Sequence, residues 1–368
     1  MRNDFKLKGE FDYGLVLITA AILVMGLFVV YSASYQKLVS SNANLAMRQV
    51  NSAMIGLIIA AAIFRIGYQR IIDFSYYIFG LNVFFLLLVL IPGIGDVRYG
   101  ARRWIELGSF AFQPSEFAKV TFIFALAKYL GDVKEGIEKL KALIVPFAMT
   151  AIPMLLIFKE PDLGTALIFI PILFTMLLIA GARPKYLLFM IGSGLACVPF
   201  LWLILKDYQR ARLFVFLNPN LDPLGAGYTI IQSKIAIGSG GILGKGWLAG
   251  TQNQLNFLPE RHTDFIFSVV GEEWGFIGSA LLLFLFYRFV DKGIRIAETT
   301  SDTYGKTLAY GITTMFVVHV IVNIGMVCGI MPVVGLPLPF VSYGGSFLIM
   351  SLACVGILEN IKNKRKVF

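Results

Sequence analysis

The sequence predicts an all-α polytopic membrane protein with about ten transmembrane helices and one large extracytoplasmic loop. Hydrophobic residues make up 57% of the 368 residues and charged residues only 15%, and the mean hydropathy is +0.77. A soluble domain of this length needs more charge on its surface. No separate soluble segment interrupts the pattern, so residues 1–368 are predicted to form a single integral membrane domain.

Ten apolar runs carry this prediction, because a helix needs about 20 apolar residues to cross the bilayer core. They lie near residues 13–34, 49–66, 74–92, 114–131, 140–158, 162–181, 186–205, 264–288, 307–330 and 340–360. The first run is long and nine others follow it, which is typical of a signal-anchor rather than a cleaved signal peptide. All three cysteines fall inside these runs, which argues against a disulfide framework.

Lysine and arginine residues set the orientation, since cytoplasmic loops carry an excess of both. If the N-terminus is cytoplasmic, most of them fall in the inner segments. Both termini are therefore predicted inside. The same bias explains most of the formal net charge of +10, so no nucleic-acid partner is needed.

Several basic residues lie on the predicted outer side and break that rule. They are Arg98, Arg102, Arg103, Arg210, Arg212, Lys245 and Arg261. Contact with lipid headgroups and solvent explains each one singly, whereas the group suggests an anionic ligand at the outer surface. The large loop, about residues 206–263, is too apolar to be freely solvated. Within it, residues 228–237 are predicted to form a short interfacial helix with Gln232 and Lys234 on its polar side.

Ionisable residues at membrane depth are costly and usually have a function. Glu116 and Lys119 are three residues apart on one predicted helix face, which indicates an internal ion pair, a cavity lining, or both. Glu160 and Asp162 stand at the outer start of the sixth run. Asp162 can also serve as an ordinary helix cap.

Asp264 stands at the outer end of the eighth run, directly after Arg261, His262 and Thr263. The structural interpretation is that Asp264 is the N-cap of that helix. The functional one is a general base that takes a proton from a hydroxyl nucleophile.

The string LPLPFVSYGGS places Ser342, Tyr343 and two glycines at the start of the tenth run. Such a turn can bring backbone N–H groups to a phosphate, or can let helices approach closely. Neither histidine belongs to a His/Cys cluster, so no zinc site is predicted. The sequence leaves the cofactor unknown, with a carboxylate-bound divalent cation such as Mg or Mn open.

Five strings, in this order along the chain, carry a resemblance that spans almost its whole length. They are RYGARRWIELGSFAFQPSEFAK, KEPDLGTA, GSGGILGKGW, LPERHTDFIFSVVGEE and LPLPFVSYGGS. With them the chain resembles the SEDS family (shape, elongation, division and sporulation). It is most like the family's elongation branch, RodA, because Arg261 precedes His262. Phe347 departs from the pattern, since family members often have a second small residue after SYGGS.

The resemblance implies a peptidoglycan glycosyltransferase that polymerises lipid II on the outer face of the bacterial cytoplasmic membrane. It also implies a class B penicillin-binding protein as partner, with membrane lipids around both. The family's essential aspartate corresponds to Asp264, and its other acidic and paired positions correspond to Glu160, Asp162, Glu116 and Lys119.

The expected chemistry is the attack of a sugar hydroxyl on an anomeric carbon, with loss of a lipid-linked pyrophosphate. Asp264 is predicted as the base, and the cations that neutralise pyrophosphate are predicted to be Arg102, Arg103, Arg210, Arg212 and Lys245. Gln232, Arg261, His262, Ser342 and Tyr343 complete the predicted substrate-binding set. A lipid II flippase and a non-catalytic scaffold of the cell-wall machinery are the alternatives.

Overall fold

The computed structural model describes residues 11–41, 44–93, 95–98, 101–107, 110–204, 210, 214–225 and 227–364. The described chain is mostly helical. Its helices are α1 (Tyr13–Ser41), α2 (Leu45–Ile66), α3 (Tyr68–Asp73), α4 (Ser75–Val89), α5 (Pro114–Val133), α6 (Ile144–Lys159), α7 (Leu163–Ile179), α8 (Pro184–Ile204), α9 (Tyr228–Ser239), α10 (Thr251–Gln254), α11 (Ile266–Glu298), α12 (Thr303–Val327) and α13 (Gly345–Asn363). Short 3₁₀ turns lie at Lys134–Glu138, Leu140–Leu143 and Pro219–Leu221.

Each of the ten predicted spans overlaps one of these helices. In the described ranges, six helical segments are long and apolar enough to cross a membrane: α1, α2, α6 with its preceding turn, α11, α12 and α13. Two shorter apolar helices, α4 and α7, accompany them. The chain is therefore a multi-pass membrane protein, while the count of ten crossings stays a prediction.

A small antiparallel sheet corrects the prediction that the fold is all α. Its strands, in the order β1-β2-β3, are β1 (Asp96–Arg98), β2 (Ala101–Leu107) and β3 (Phe110–Phe112). The segment is rich in aromatic residues and is divided by glycines, which favours short paired strands. Successive side chains of a strand point to opposite faces, so Arg102 and Arg103 leave β2 in opposite directions.

The segment predicted as one large loop contains helices. The predicted short helix at residues 228–237 is confirmed as α9, which packs against α11, while its position in the membrane interface stays a prediction. Its Ser233 hydroxyl lies 2.8 Å from the Ser268 hydroxyl of α11 and donates to the carbonyl of Val327 at 2.6 Å. Gln232 is half-buried and Lys234 is exposed, as expected for the polar side.

Helix α11 is broken at Gly275, whose φ of 64° and ψ of −157° are open to glycine alone. The glycine-rich segment 240–246 docks into the break. The amide of Phe276 donates to Gly241 O at 2.9 Å, and the amide of Lys245 donates to Glu272 O at 3.0 Å. A Cβ on Gly275 would collide with the amide nitrogen of Gly244. The break therefore fixes the segment that follows α9 onto α11.

Small residues let α2 and α13 approach closely, as is usual in membranes. Gly56 of α2 faces Leu352 of α13, and Gly356 of α13 faces the backbone of Ala60. At one end of the bundle, Asp12 accepts hydrogen bonds from Lys292 at 3.0 Å and Lys362 at 2.7 Å. Asp264 lies near the other end, which we call the Asp264 end.

Candidate active site

Asp264 lies just before α11 and is half-buried. The N-cap position of α11 belongs to Phe265, and no side chain caps the helix. The interpretation of Asp264 as an N-cap is therefore wrong, because the helix begins one residue too late for it. A Cβ on Gly335 would lie 3.2 Å from Asp264 Oδ2, and Gly335 has a φ of +75°. The Asp264 carboxylate thus borders a loop at residues 333–338.

This 333–338 loop is fixed from below by two buried side chains of α12. The Asn323 amide donates to Leu336 O at 2.6 Å and to Asp264 O at 2.9 Å. His319 Nδ1 lies 3.1 Å from Pro337 O. Sequence reasoning missed both roles, although a histidine and an asparagine inside an apolar span are themselves a signal.

Glu116 and Lys119 form the predicted internal ion pair, with 2.8 Å between Lys119 Nζ and Glu116 Oε2. Lys119 Nζ also lies 3.0 Å from His319 Nε2. All three side chains are buried. The ring of Phe347, the residue that departs from the family pattern, lies 4.7 Å from the His319 ring and carries Lys119 over its face at 5.1 Å. The pair therefore supports the 333–338 loop through His319.

The start of α7 forms another wall. Asp162 caps this helix by accepting from the amide of Thr165 at 3.1 Å, which confirms its interpretation as a cap. Gly164 lies against the carbonyl of Val334, so this wall meets the loop that borders Asp264.

Glu160 is 1% exposed, and neither of its carboxyl oxygens has a hydrogen-bond partner. Burial, together with the neighbouring charge of Asp162, raises the pKa of Glu160 to about 9, although Arg103 opposes the shift. Glu160 is therefore a neutral carboxylic acid at pH 7. It lies between α6 and α7.

The predicted pyrophosphate-binding cations fall into two groups. Arg103 is bound within the protein, since it donates to Glu160 O at 3.0 Å and to Pro161 O at 2.5 Å, and lies 3.6 Å from Asp162. Arg102 is half-buried on the other face of β2, and its side chain has no hydrogen bond or ion pair with any residue that the structure describes. Only Arg102 of the two has a guanidinium ready for a ligand.

The remaining predicted cations lie in the connection between α8 and α11. Arg210 donates to Leu203 O at 3.1 Å, and Arg212 lies outside the described residues. Lys245 pairs with buried Glu272 at 2.8 Å and donates to Thr251 at 2.8 Å. Its contacts fix the connection onto α11 and do not face Asp264.

Two loops meet beside Asp264. The Ser342 hydroxyl donates to Thr263 O at 2.6 Å, and the amide of Tyr343 donates to His262 O at 2.8 Å. Buried Arg261 donates to Ala33 O of α1 at 2.9 Å. Ser342 and Arg261 therefore order the backbone, while the half-buried side chains of His262 and Tyr343 lie beside each other, with ring centroids 5.9 Å apart.

The imidazole of His262 is neutral at pH 7. Burial, followed by the nearby charges of Lys37 and Arg261, lowers the pKa of His262 to about 4. Lys37 Nζ lies 3.4 Å from His262 Nε2, so the ring can accept from that ammonium group.

No group of three or more histidine, cysteine, aspartate and glutamate residues suited to a metal ion occurs in the described ranges. Glu160 and Asp162 are two neighbouring carboxyl groups and therefore come close to forming such a site. Arg103 occupies their surroundings, so these residues alone do not make a cation site.

One end of this helical membrane bundle holds the half-buried carboxylate of Asp264, the neutral acid Glu160 and Arg102, whose side chain has no partner among the described residues. These features define a polytopic membrane protein with a polar site near one surface. The model of the FtsW/RodA/SpoVE family, described as a cell cycle protein, matches residues 13–367. The chain belongs to this family, and the predicted family is confirmed.

Known relatives agree over the full length. The chain is 41% identical over 368 residues to the peptidoglycan glycosyltransferase MrdB of Escherichia coli strain K12, covering 100% of this chain and 97% of MrdB. A solved chain from a peptidoglycan synthase complex that coordinates polymerization and crosslinking is similar with a TM-score of 0.83 and 35% identity, covering 96% of this chain and 98% of that one. The rod shape determining protein RodA of Thermus thermophilus is similar with a TM-score of 0.71 and 29% identity, covering 97% and 98%.

Proposed function

We propose that this chain is a peptidoglycan glycosyltransferase, an enzyme that polymerises lipid II into glycan strands during cell elongation. The activity named for the MrdB relative, at 41% identity over the whole chain, supports the enzyme class. The observation that carries the site assignment is the Asp264 carboxylate, which is half-buried, lies outside α11 and borders Gly335.

In the proposed reaction, Asp264 acts as general base. It accepts the proton of an acceptor sugar hydroxyl while that oxygen bonds to the anomeric carbon of the donor sugar. The bond from this carbon to the lipid diphosphate breaks, and the diphosphate leaves with the electron pair. One base and one displacement invert the anomeric centre. The leaving group needs charge neutralisation more than a proton, and Arg102 is the candidate whose side chain has no partner among the described residues.

A groove of about 430 Å³ offers a place for the polyprenyl tail of the substrate. It lies between α4 and α6 and is lined by apolar side chains such as Leu87, Ile152 and Leu155. At its end stands Lys159, next in sequence to Glu160. A polyprenyl tail in this groove would lie in the bilayer, and its diphosphate would lie near the polar site.

We place the Asp264 end on the outer side of the bacterial cytoplasmic membrane and both termini inside, with ten crossings of a single membrane domain. The excess of lysine and arginine in the alternate connections supports this orientation. A class B penicillin-binding protein is the proposed partner, and the similarity to a chain of a peptidoglycan synthase complex supports it.

The flippase and scaffold alternatives make other demands. A flippase needs a polar route between the leaflets, but Glu116, Lys119 and His319 are satisfied by one another and are buried. A scaffold needs neither a half-exposed Asp264 nor a buried Glu160 without a partner.

The test is polymerisation of lipid II by purified protein with its partner in detergent. Asp264→Asn keeps the size of the side chain and removes the base, so we expect a loss of polymer of about 100-fold or more. The matched control is Asp291→Asn, at an exposed pair with Arg295 far from the site, which should retain activity.

Normal polymerisation by Asp264→Asn would refute the base assignment. A protein that moves lipid II only across sealed vesicles, and forms no glycan in detergent, would be a flippase.

A further inference from the structure

Two buried side chains of α12 contact the backbone on both sides of the Asp264 carboxylate. Asn323 and His319 are four residues apart and therefore share a helix face. Both are 0% exposed. Together they reach the main-chain oxygens of Asp264, Leu336 and Pro337. We propose that Asn323, supported by His319, is a positioning residue that fixes Asp264 against the 333–338 loop. This inference rests on the proposed role of Asp264.

The amide of Asn323 is well suited to this task. An amide nitrogen carries two hydrogens, so one group can donate to both Asp264 O at 2.9 Å and Leu336 O at 2.6 Å. Both partners are carbonyls, which settles which end of the amide faces them. Asn323 Oδ1 has no partner although it is buried. A buried acceptor without a partner costs stability. The two hydrogen bonds that Asn323 donates, and not a gain in stability from its Oδ1, therefore account for asparagine at this position.

His319 extends the same support to the next residue of the loop. Its Nδ1 donates to Pro337 O at 3.1 Å, which leaves Nε2 to accept from the Lys119 ammonium at 3.0 Å. Lys119 is held in turn by Glu116. The ion pair in α5 therefore fixes the ring of His319, and the ring fixes the loop.

The arrangement fixes the main chain that carries the Asp264 carboxylate. Asn323 binds the main chain of Asp264 on one side, while Gly335 borders its Oδ2 on the other. Gly335 has a φ of +75°, and only a residue without a side chain leaves this space open. A base must lie within hydrogen-bond reach of the proton it takes, so a displacement of about 1 Å can cost about 100-fold in rate.

The experiment uses Asn323→Leu, which keeps the number and branching of the side-chain heavy atoms and removes both donors. Its matched control is Asn360→Leu in α13. Asn360 is also a buried asparagine, and it donates to the carbonyl of Phe64 at 2.6 Å at the end of the bundle remote from Asp264. The complex with its partner is assayed for kcat and KM with lipid II, and thermal unfolding is followed in parallel.

We expect Asn323→Leu to lower kcat about 10- to 100-fold with little change in KM, because the carboxylate is displaced while the substrate-binding surface remains. Asn360→Leu should lower the unfolding temperature by a similar amount and leave kcat within about 3-fold. Asn323→Ser, which keeps one donor, should fall between Asn323→Leu and the wild type. It also serves as the test if Asn323→Leu does not accumulate.

The inference is overturned if the Asn323 variants keep the wild-type kcat, or if Asn360→Leu loses as much kcat as Asn323→Leu. Asp264→Asn is measured beside them. If Asp264→Asn is inactive and the Asn323 variants are normal, only the positioning role fails. If Asp264→Asn is active, the proposed function of Asp264 fails.

Discussion

Two buried carboxyl groups at opposite ends of the bundle, Asp12 and Glu160, have opposite environments. Burial raises the pKa of Asp12, but the hydrogen bonds from Lys362 and Lys292 outweigh it and lower the pKa to about 2. At the Asp264 end, Glu160 is as deeply buried and has no hydrogen-bond partner, and its pKa rises to about 9. One carboxyl is charged and fully paired, whereas the other is neutral and unpaired.

The difference distinguishes a carboxyl group that stabilises the fold from one that does not. Asp12 joins the start of α1 to α11 and α13, since Lys292 and Lys362 come from those helices. The carboxyl group of Glu160 forms no hydrogen bond that links two elements, and its burial costs stability. Groups that break the rules of stable folding tend to be found at functional sites. The Asp12 contacts therefore join helices, whereas the polar groups at the Asp264 end are the ones proposed above to bind the substrate.

The largest effect on stability is expected from Asp12→Ala. The substitution leaves two lysines without their buried partner, and breaking such a network costs about 3–5 kcal/mol. We expect a large fall in the unfolding temperature, with normal polymerisation per folded molecule. Asp291→Ala, at an exposed pair with Arg295, is the control and should change little. A stable Asp12→Ala, or one that is folded and inactive, would contradict the assignment of this end to structure.

Glu160→Gln should have the opposite effect on stability. The pKa of Glu160 is about 9 in the folded protein against an ordinary value of 4.5, so Glu160 stays neutral in the folded protein while it ionises in the unfolded chain as the pH rises above 4.5. Wild-type stability is therefore lost between about pH 4.5 and pH 9. Glutamine removes this loss, so the variant should gain about 2–4 kcal/mol at pH 7.5 and little at pH 4.5.

Thermal unfolding between pH 4.5 and pH 8.5 measures this gain, and KM for lipid II should rise in the same variant. Glu138→Gln is the control, because Glu138 is exposed and paired with Arg183. A gain that does not grow with pH would show that Glu160 is ionised in the folded protein.

The helices and the ion pair of Glu116 and Lys119 could be predicted because both depend on local sequence. Apolar runs of span length mark helices, and a spacing of three places two residues on one face. The cap at Asp162 was equally local. The sheet was missed because its strands are short and carry charges that hide them from an apolar count.

The non-local parts of the site could not be predicted. His319 meets Lys119 across 200 residues of chain, and Asn323 meets Asp264 across 59. The break at Gly275 depends on the docked segment 240–246, while the local sequence alone reads as one continuous helix. The outer arginines were predicted as one group, but their separation into bound and unbound members depends on which face of β2 each one leaves.

The smallest effect on stability, and the sharpest division between the two kinds of charge, is expected within the pair Arg102 and Arg103. Arg103→Gln removes hydrogen bonds to Glu160 O and Pro161 O, so it should cost about 1–3 kcal/mol and lower the unfolding temperature. Arg102→Gln removes no hydrogen bond or ion pair with the described residues, so stability should stay within about 0.5 kcal/mol. If Arg102 binds the diphosphate, KM for lipid II should rise about 3- to 10-fold in that variant. An unchanged KM in Arg102→Gln would refute the binding of the diphosphate by Arg102. A marked loss of stability would show that its guanidinium already contacts the protein.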